Sequence, residues 1–329
     1  MLARVEAASV PAPAGLQRTR HLGDRVGDGL LYGLTALAAF FGLAIVAAIV
    51  WRVVDGAWPA IRTYHAAFLW HNAWNPVTSD FGARDFIIGT IVTSFGAILL
   101  SAPLSIAIAL FLSELAPQAI RGVIGALIDM LAAVPSVVVG LWGIYVLAPF
   151  SANHLAPLIG DVLGWIPIFA HAGDHTESTV FAAILVLAIM TIPITTAICR
   201  ELFLGVPTEL EEGSIGLGAT RWEMVRTVII PSVRGGVVAA VILGLGRALG
   251  EAIAVTQVIG NFIPLHTSLF SAGDTTASRI ANQYAGASTN IQISALIYLG
   301  LILLAITFLT NFTAQRVVKR FEFQRTGGD

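Results

Sequence analysis

Six stretches of this chain each run for roughly 20 residues or more with almost no charge, the length a helix needs to cross a bilayer core about 30 Å thick. They are the blocks between Asp28 and Arg52, between Asp85 and Glu114, from Gly122 to Phe150, between Glu177 and Arg200, from Gly235 to Gly260 and from Ile291 to Phe312. Only three charges fall inside them: Asp129 near the start of the third, and Arg247 and Glu251 in the fifth. Six such blocks as buried helices of one soluble domain would need an implausible core. The alternative is a polytopic, all-α membrane chain with six transmembrane helices.

Composition agrees. Charged residues make up 12% of 329, where soluble domains carry about a quarter. The single cysteine, Cys199, excludes a disulfide framework and a cysteine metal site. A net charge of −2 gives no reason to expect nucleic acid as a partner. Residues 1–28 lack the short apolar run of a signal peptide and read as a tail, so the first block reads as an uncleaved span.

Arginine and lysine orient the spans. With the N-terminus inside, the inner segments hold Arg4, Arg18, Arg20, Arg25, Arg121, Arg200, Arg221, Arg226, Arg234, Arg316, Lys319, Arg320 and Arg325; the outer ones hold only Arg52, Arg62, Arg84 and Arg279. Both termini are therefore expected in the cytoplasm. Outside, Trp58, Trp70 and Trp74 read as interfacial aromatics. His65, His71, His154, His171, His175 and His266 also fall outside. His171 and His175 with Asp174 and Glu177 have the spacing of one helical turn, but Gly173 and the loop setting favour a solvated loop from Ser151 to Ser178.

The densest local signal lies in the inner segment 200–234. Thr208 with Glu211, and Thr220 with Glu223, have capping-box spacing. Gly218 stands where a helix would end in the left-handed region, and Pro231 is placed to end a second helix before the next span. The expectation is helix, glycine turn, helix. A DNA-binding helix-turn-helix has that outline, but Arg221 and Arg226 alone would face the nucleic acid and membrane spans flank the unit. A plain structural turn stays open on local features.

Two further features sit inside the apolar blocks. Arg247 lies near the middle of the fifth, and a charge at bilayer depth costs at least about 2.5 kcal/mol. Glu251, four residues on, would share its helix face. The pair reads either as an intrahelical ion pair or as a station where a guanidinium meets an anion in transit and Glu251 holds Arg247 when none is present. Gly246 and Gly250, with Gly244 and Ala248, would let another helix approach closely. In the third block Pro135 interrupts the helix, leaving either an ordinary kink or a cavity where Ser136 could offer its hydroxyl to an oxyanion. Pro103 and Pro193 read as simple kinks.

The segment 200–234 resembles the EAA loop of ABC importer permeases. Glu212, Gly213 and Ser214 take the acidic-small-small triplet, Gly218 the glycine, and Val228, Ile230 and Pro231 the ending. Gly213 and Ser214 replace two alanines, which weakens the first helix slightly. The runs 134–144, 244–251 and 268–270 are similar to the permease pair of phosphate-specific ABC importers, and 81–90 is more similar to its PstC type than to its PstA type.

The resemblance implies a type I importer permease with tails at 1–28 and 316–329, a first helix and outer loop at 29–85, and a core at 86–315. It implies a coupling loop that docks on an ATPase subunit through Glu209, Glu212, Gly213, Ser214, Gly218, Ala219, Thr220, Arg221 and Pro231. The substrate pathway would pass Arg247, Glu251, Ser136 and Pro135. The chain has no phosphate loop of the G-x-x-x-x-G-K-[ST] form, so no cofactor is expected on it, and ATP and Mg would bind to the partner. Implied partners are a second, PstA-like permease, two PstB-like ATPase subunits, a PstS-like extracytoplasmic phosphate-binding protein, phosphate and the bilayer of a bacterial inner membrane. Molybdate or sulfate as substrate, a secondary transporter and a membrane scaffold are the competing readings.

Overall fold

The computed structural model describes residues 22–170 and 176–326, and the side chains of 27–170 and 176–316. His171, Asp174 and His175, the residues before 22, and the side chains of Arg25, Lys319, Arg320 and Arg325 lie outside the described set. Contacts divide the chain into two units, Met1–Arg52 and Val53–Asp329, a boundary at the end of the first uncharged block. Six helices among the described residues are long and apolar enough to span: Gly27–Leu69, Arg84–Leu115, Ser136–Leu163, Val180–Leu204, Arg221–Gly250 and Asn290–Arg316. They are called the first to sixth spans below. The only strands among these residues form a short hairpin, Trp74–Asn75 against Asp80–Phe81.

In the first unit, every side chain from 27 to 49 is exposed. An apolar helix with no protein cover is stable in lipid because its backbone bonds are all internal. The helix runs on to Tyr64, through Pro59, so the first span is longer than its uncharged block.

In the second unit, the second and fourth spans form the centre. Gly96 lets Ile184 approach, Cδ1 lying 2.9 Å from where a glycine Cβ would be. Ser105 Oγ donates to the Ile192 carbonyl at 3.3 Å. Both helices continue through their prolines, Pro103 and Pro193. The fifth span joins them through Gly244, where a Cβ would stand 2.9 Å from Thr195 Oγ1. Its buried row is Ala240, Gly244 and Ala248. A Cβ on Gly250 would meet nothing within 4 Å, so the tight small-residue contact belongs to that row and not to the Gly246–Gly250 pair.

The third block departs most from expectation. It is not one span from Gly122 to Phe150. Helix Gln118–Ala132 ends at Ala133, and a new helix starts at Ser136 and continues to Leu163. Pro135 forces the break, since it lacks an N–H and its ring restricts the residue before it. The stretch 151–163, expected as loop and including His154, is therefore helical. Its low charge and the surplus length before Pro135 shift the span along the chain, toward the C-terminus, by about four turns.

The loop between the fifth and sixth spans is clamped onto the second. Asp85, at that helix's start, accepts from the Leu265 N–H at 2.9 Å. A Cβ on Gly89 would overlap the Asp274 carbonyl. Thr90 Oγ1 accepts from the Thr276 N–H at 2.9 Å. Ser268 and Phe270 lie in the same loop: Ser268 Oγ donates to the Ala170 carbonyl at 2.6 Å and Phe270 packs edge-on to Phe181. Trp58 and Trp70 are exposed as an interfacial role requires. Trp74 is not; it is 8% exposed, packs against Phe81 and Phe86, and donates to Gln283 Oε1 at 2.6 Å.

Arg279, read from sequence only as an outer charge, is buried. Its Nη2 lies 2.6 Å from Asp274 Oδ2, its guanidinium stacks over Phe86 at 4.9 Å, and Nη2 donates to the Asn261 carbonyl at 3.3 Å. Burial pushes the Asp274 carboxyl above the usual carboxylate range even against the pull of Arg279. Desolvation thus outweighs attraction, and removing one partner should cost far more than replacing both. We predict that Asp274→Leu destabilises the detergent-solubilised chain by about 3–5 kcal/mol in thermal unfolding, whereas Asp274→Leu with Arg279→Met costs markedly less.

Candidate functional site

Two helix ends meet in the middle of the second unit. One is the start at Ser136. Pro135 caps it with φ −59° and ψ 139°. The Pro135 carbonyl accepts from Val138 and Val139 at 3.0 and 3.3 Å, leaving the N–H groups of Ser136 and Val137 with no acceptor inside their own helix. The other is the end of the fifth span. Its last helical residue is Gly250, and Glu251 is extended, with φ −72° and ψ 118°. A short helix, Ile253–Val258, follows.

These two breaks are packed together. Gly140, one turn into its helix, is covered by the short helix: a Cβ would lie 2.9 Å from Ala254 Cα and 2.7 Å from Gln257 Oε1. Arg247 borders a small cavity with Ala132, Val134, Val139, Ile189 and Met190. That places it beside the Pro135 break and level with the middle of the fourth span, as Ile189 and Met190 lie nearly half-way along Val180–Leu204.

The structure corrects the expected pairing of Arg247 with Glu251. The helix ends between them, so they do not share a face, and they form no ion pair among the described residues. Gly250 carries no Cβ to pack and costs the helix end least, and the chain turns out there. Glu251, half-buried, instead accepts from the Ala254 N–H at 3.5 Å and helps start the next helix. Arg247 stays exposed on the chain's surface. The site therefore has a free guanidinium, a helix N-terminus with open N–H groups and a carboxylate turned to another task. Donors outnumber acceptors, which suits an anion.

The second candidate region is the pair of helices between the fourth and fifth spans. Thr208–Gly216 is helical. Gly218 follows with φ 93°, and the Ala219 N–H reaches back to the Ser214 carbonyl at 3.2 Å, the left-handed ending expected. Thr220 and Glu223 form a full capping box. The other proposed box does not form: Pro207 occupies the cap position and Thr208 is already in the helix, so no Thr208 side-chain cap exists. Pro231 does not end the second helix either. A π turn at Val225–Ile229 shifts the hydrogen-bond register, the Ile230 N–H bonding the Val225 carbonyl. Pro231 is then carried in the first turn of the segment that follows, where its missing N–H is cheapest. Arg221–Gly250 is thus one span-length helix.

Met224, Val225 and Ile229 root this pair in a core with Ala109, Cys199, Phe203 and Val206. The tip is open: Glu209, Glu212, Gly213, Gly218, Thr220, Arg221 and Pro231 are exposed, Ser214 and Ala219 half-buried. Leu210, Ile215, Leu217 and Trp222 add an exposed apolar surface, Leu217 being 90% exposed. Glu211 sits over a cleft with Glu114, Arg121 and Arg221. Burial first, and then Glu114 and Glu212, raise its carboxyl above the usual range.

A rooted helical knob on a polytopic chain, with an anion-suited break farther along its spans, is the architecture of an importer's membrane subunit. The chain belongs to the binding-protein-dependent transport system inner membrane components, whose family pattern matches residues 101–323. It is 42% identical over 306 residues, 92% of this chain and 95% of the other, to the phosphate transport system permease protein PstC of Pasteurella multocida. It is 41% identical over 302 residues, 91% and 92%, to PstC of Mesorhizobium japonicum. Its fold is similar to that in a bacterial ABC transporter involved in the import of the acidic polysaccharide alginate, with a TM-score of 0.57 at 18% identity over 90% of this chain and 98% of that one. The chain is a multi-pass membrane permease of the type I ABC importer fold.

Close packing at Gly140 sets the geometry of the two breaks. Gly140→Val should force the short helix away and lower thermal stability by about 1–3 kcal/mol; an unchanged melting temperature would show that the breaks are not held by this contact.

Proposed function

We propose that this chain is one of two permease subunits of an ATP-driven phosphate importer and forms its share of the phosphate pathway at Arg247 and the break at Pro135–Ser136. One observation carries the reading: in a chain so similar to phosphate permeases, an unpaired arginine stands beside an opened helix start at the level of mid-span. A guanidinium and backbone N–H groups are the donors a phosphate oxygen pair uses. Lipid or empty protein would be a poor setting for either.

Phosphate arrives on this reading from a PstS-like binding protein seated on the outer loops. A PstA-like permease completes the pathway, and the exposed face of Arg247 is directed to it. Two PstB-like ATPase subunits bind ATP and Mg, and this chain hydrolyses nothing itself. One of them receives the knob Thr208–Arg221, whose apolar tip and fixed glycine turn suit a groove. Closure of the ATPase pair pushes the knob, and the fourth and fifth spans that carry it move as rods. The pathway opens outward, phosphate passes Arg247, and hydrolysis resets the inward-facing state. The arginine bias puts both termini and the knob on the cytoplasmic side of a bacterial plasma membrane.

The test is uptake of radiolabelled phosphate by complexes reconstituted into vesicles. Arg247→Ala should lower ATP-dependent uptake by about tenfold or more, the loss of a charged hydrogen-bond donor. Undiminished uptake would remove Arg247 from the pathway, and uptake of sulfate or molybdate in place of phosphate would overturn the substrate. For the knob, Gly218→Val puts a branched Cβ at positive φ, a strain of about 1–2 kcal/mol. It should reduce ATPase copurification with the permease; full retention would show that the turn does not shape the docking surface.

A further inference from the structure

The segments that would carry the ATPase stroke are joined to the anion-suited break along the fifth span itself, Arg221–Gly250, and also by a side-chain contact that the sequence did not mark. Arg200 lies one turn before the end of the fourth span, Val180–Leu204. After that span come only Gly205, Val206 and Pro207 before the first helix of the knob. The guanidinium of Arg200 lies across helix Gln118–Ala132. A Cβ on Gly125 would overlap Nη1, and Gly125 is the one buried residue of that helix. Asp129, one turn on, has Oδ2 4.0 Å from Nη2. Helix Gln118–Ala132 ends three residues before Pro135.

We propose that Arg200, seated on Gly125, is the positioning residue that transmits movement of the knob to the break at Pro135–Ser136. The inference rests on reading the chain as the permease of an ATP-driven importer. Three features support a transmitting role over a merely structural one. First, glycine at 125 has no turn to make and no positive φ; its use is the space it leaves for a flat guanidinium. Second, the ion pair is weak: Asp129 is 58% exposed, and exposed pairs at such distances contribute little. Asp129 guides the guanidinium but does not anchor it. Third, Arg200 Nε is buried and has no hydrogen-bond partner. A buried donor without an acceptor marks an arrangement the side chain leaves at little cost. A joint that holds by shape and is under-satisfied in one state is suited to two positions, which coupling requires.

The path is then short. A push on the knob moves the inner end of the fourth span. Arg200 drags or releases helix Gln118–Ala132 at Gly125, and that helix shifts the turn at Ala133–Val134. The N–H groups of Ser136 and Val137 and the wall of the Arg247 cavity move with it. Lysine would not replace arginine here, because its ammonium is a compact charge with no plane to lie on the glycine.

The experiment compares phosphate taken up with ATP hydrolysed, in vesicles holding the complete complex with its binding protein. The variants are Gly125→Ala, Arg200→Lys and Asp129→Asn. Gly125→Ala is the sharpest, because alanine is the better helix former and displaces only the end of a flexible side chain. Binding-protein-stimulated hydrolysis should stay within about twofold of wild type while phosphate carried per ATP falls by about tenfold in Gly125→Ala and Arg200→Lys, and by about twofold in Asp129→Asn. Uptake and hydrolysis falling together in Gly125→Ala, or an unchanged ratio in Gly125→Ala and Arg200→Lys, would overturn the proposal. A wild-type complex that carries no phosphate would instead overturn the functional reading itself, so the two failures are distinct.

Discussion

Hydrocarbon offers no partner to a peptide N–H or carbonyl, so a membrane helix is broken only where protein or a cavity can satisfy the freed groups. This chain is broken twice at one level: before Ser136, and after Gly250. The two breaks are packed against each other. The short helix Ile253–Val258 lies on Gly140, and Glu251 turns to its N-terminus. The rest of the second unit holds these ends in register. The second and fourth spans form the fixed centre, the fifth docks on them through Ala240, Gly244 and Ala248, and the loop between the fifth and sixth spans is fastened to the second span by Asp85, Gly89 and Thr90.

The charges follow the same economy. Arg279 and Asp274 are buried together, with aromatic rings over the guanidinium. Arg200 is seated on a glycine and half-paired. Arg247 has neither a carboxylate nor a buried seat, although it lies level with the middle of the fourth span. On the proposed function, an anion in transit is the partner that this cation lacks within the chain. That contrast between the three arginines is stronger support for a pathway than the presence of Arg247 alone.

Much of this was legible in the residues. Uncharged blocks of span length announce six helices, and Gly218, with Thr220 and Glu223, announces the turn and capping box of the knob, because those features are local and depend on near neighbours. Five details were not legible, each for a physical reason. Spacing from Arg247 to Glu251 implies a shared face only if the helix continues, and Gly250 ends it. Pro231 implies a stop only in an α register, and the π turn at 225–229 changes that register. The third block held more apolar residues than one span needs, and Pro135 decides which of them cross. The Asp274–Arg279 pair and the Gly125 seat for Arg200 join segments that are distant in sequence or carry no periodic signal, so only the fold reveals them.

The central claim is that the break at Pro135–Ser136 and Arg247 form one anion station. The most direct measurement is the structure of the complete complex trapped during turnover with phosphate present. The account predicts density for a tetrahedral anion within hydrogen-bond reach, about 3 Å, of the Arg247 guanidinium and of the backbone N–H groups at Ser136 and Val137. An occluded anion held elsewhere, with Arg247 paired to a carboxylate or facing lipid, would contradict it.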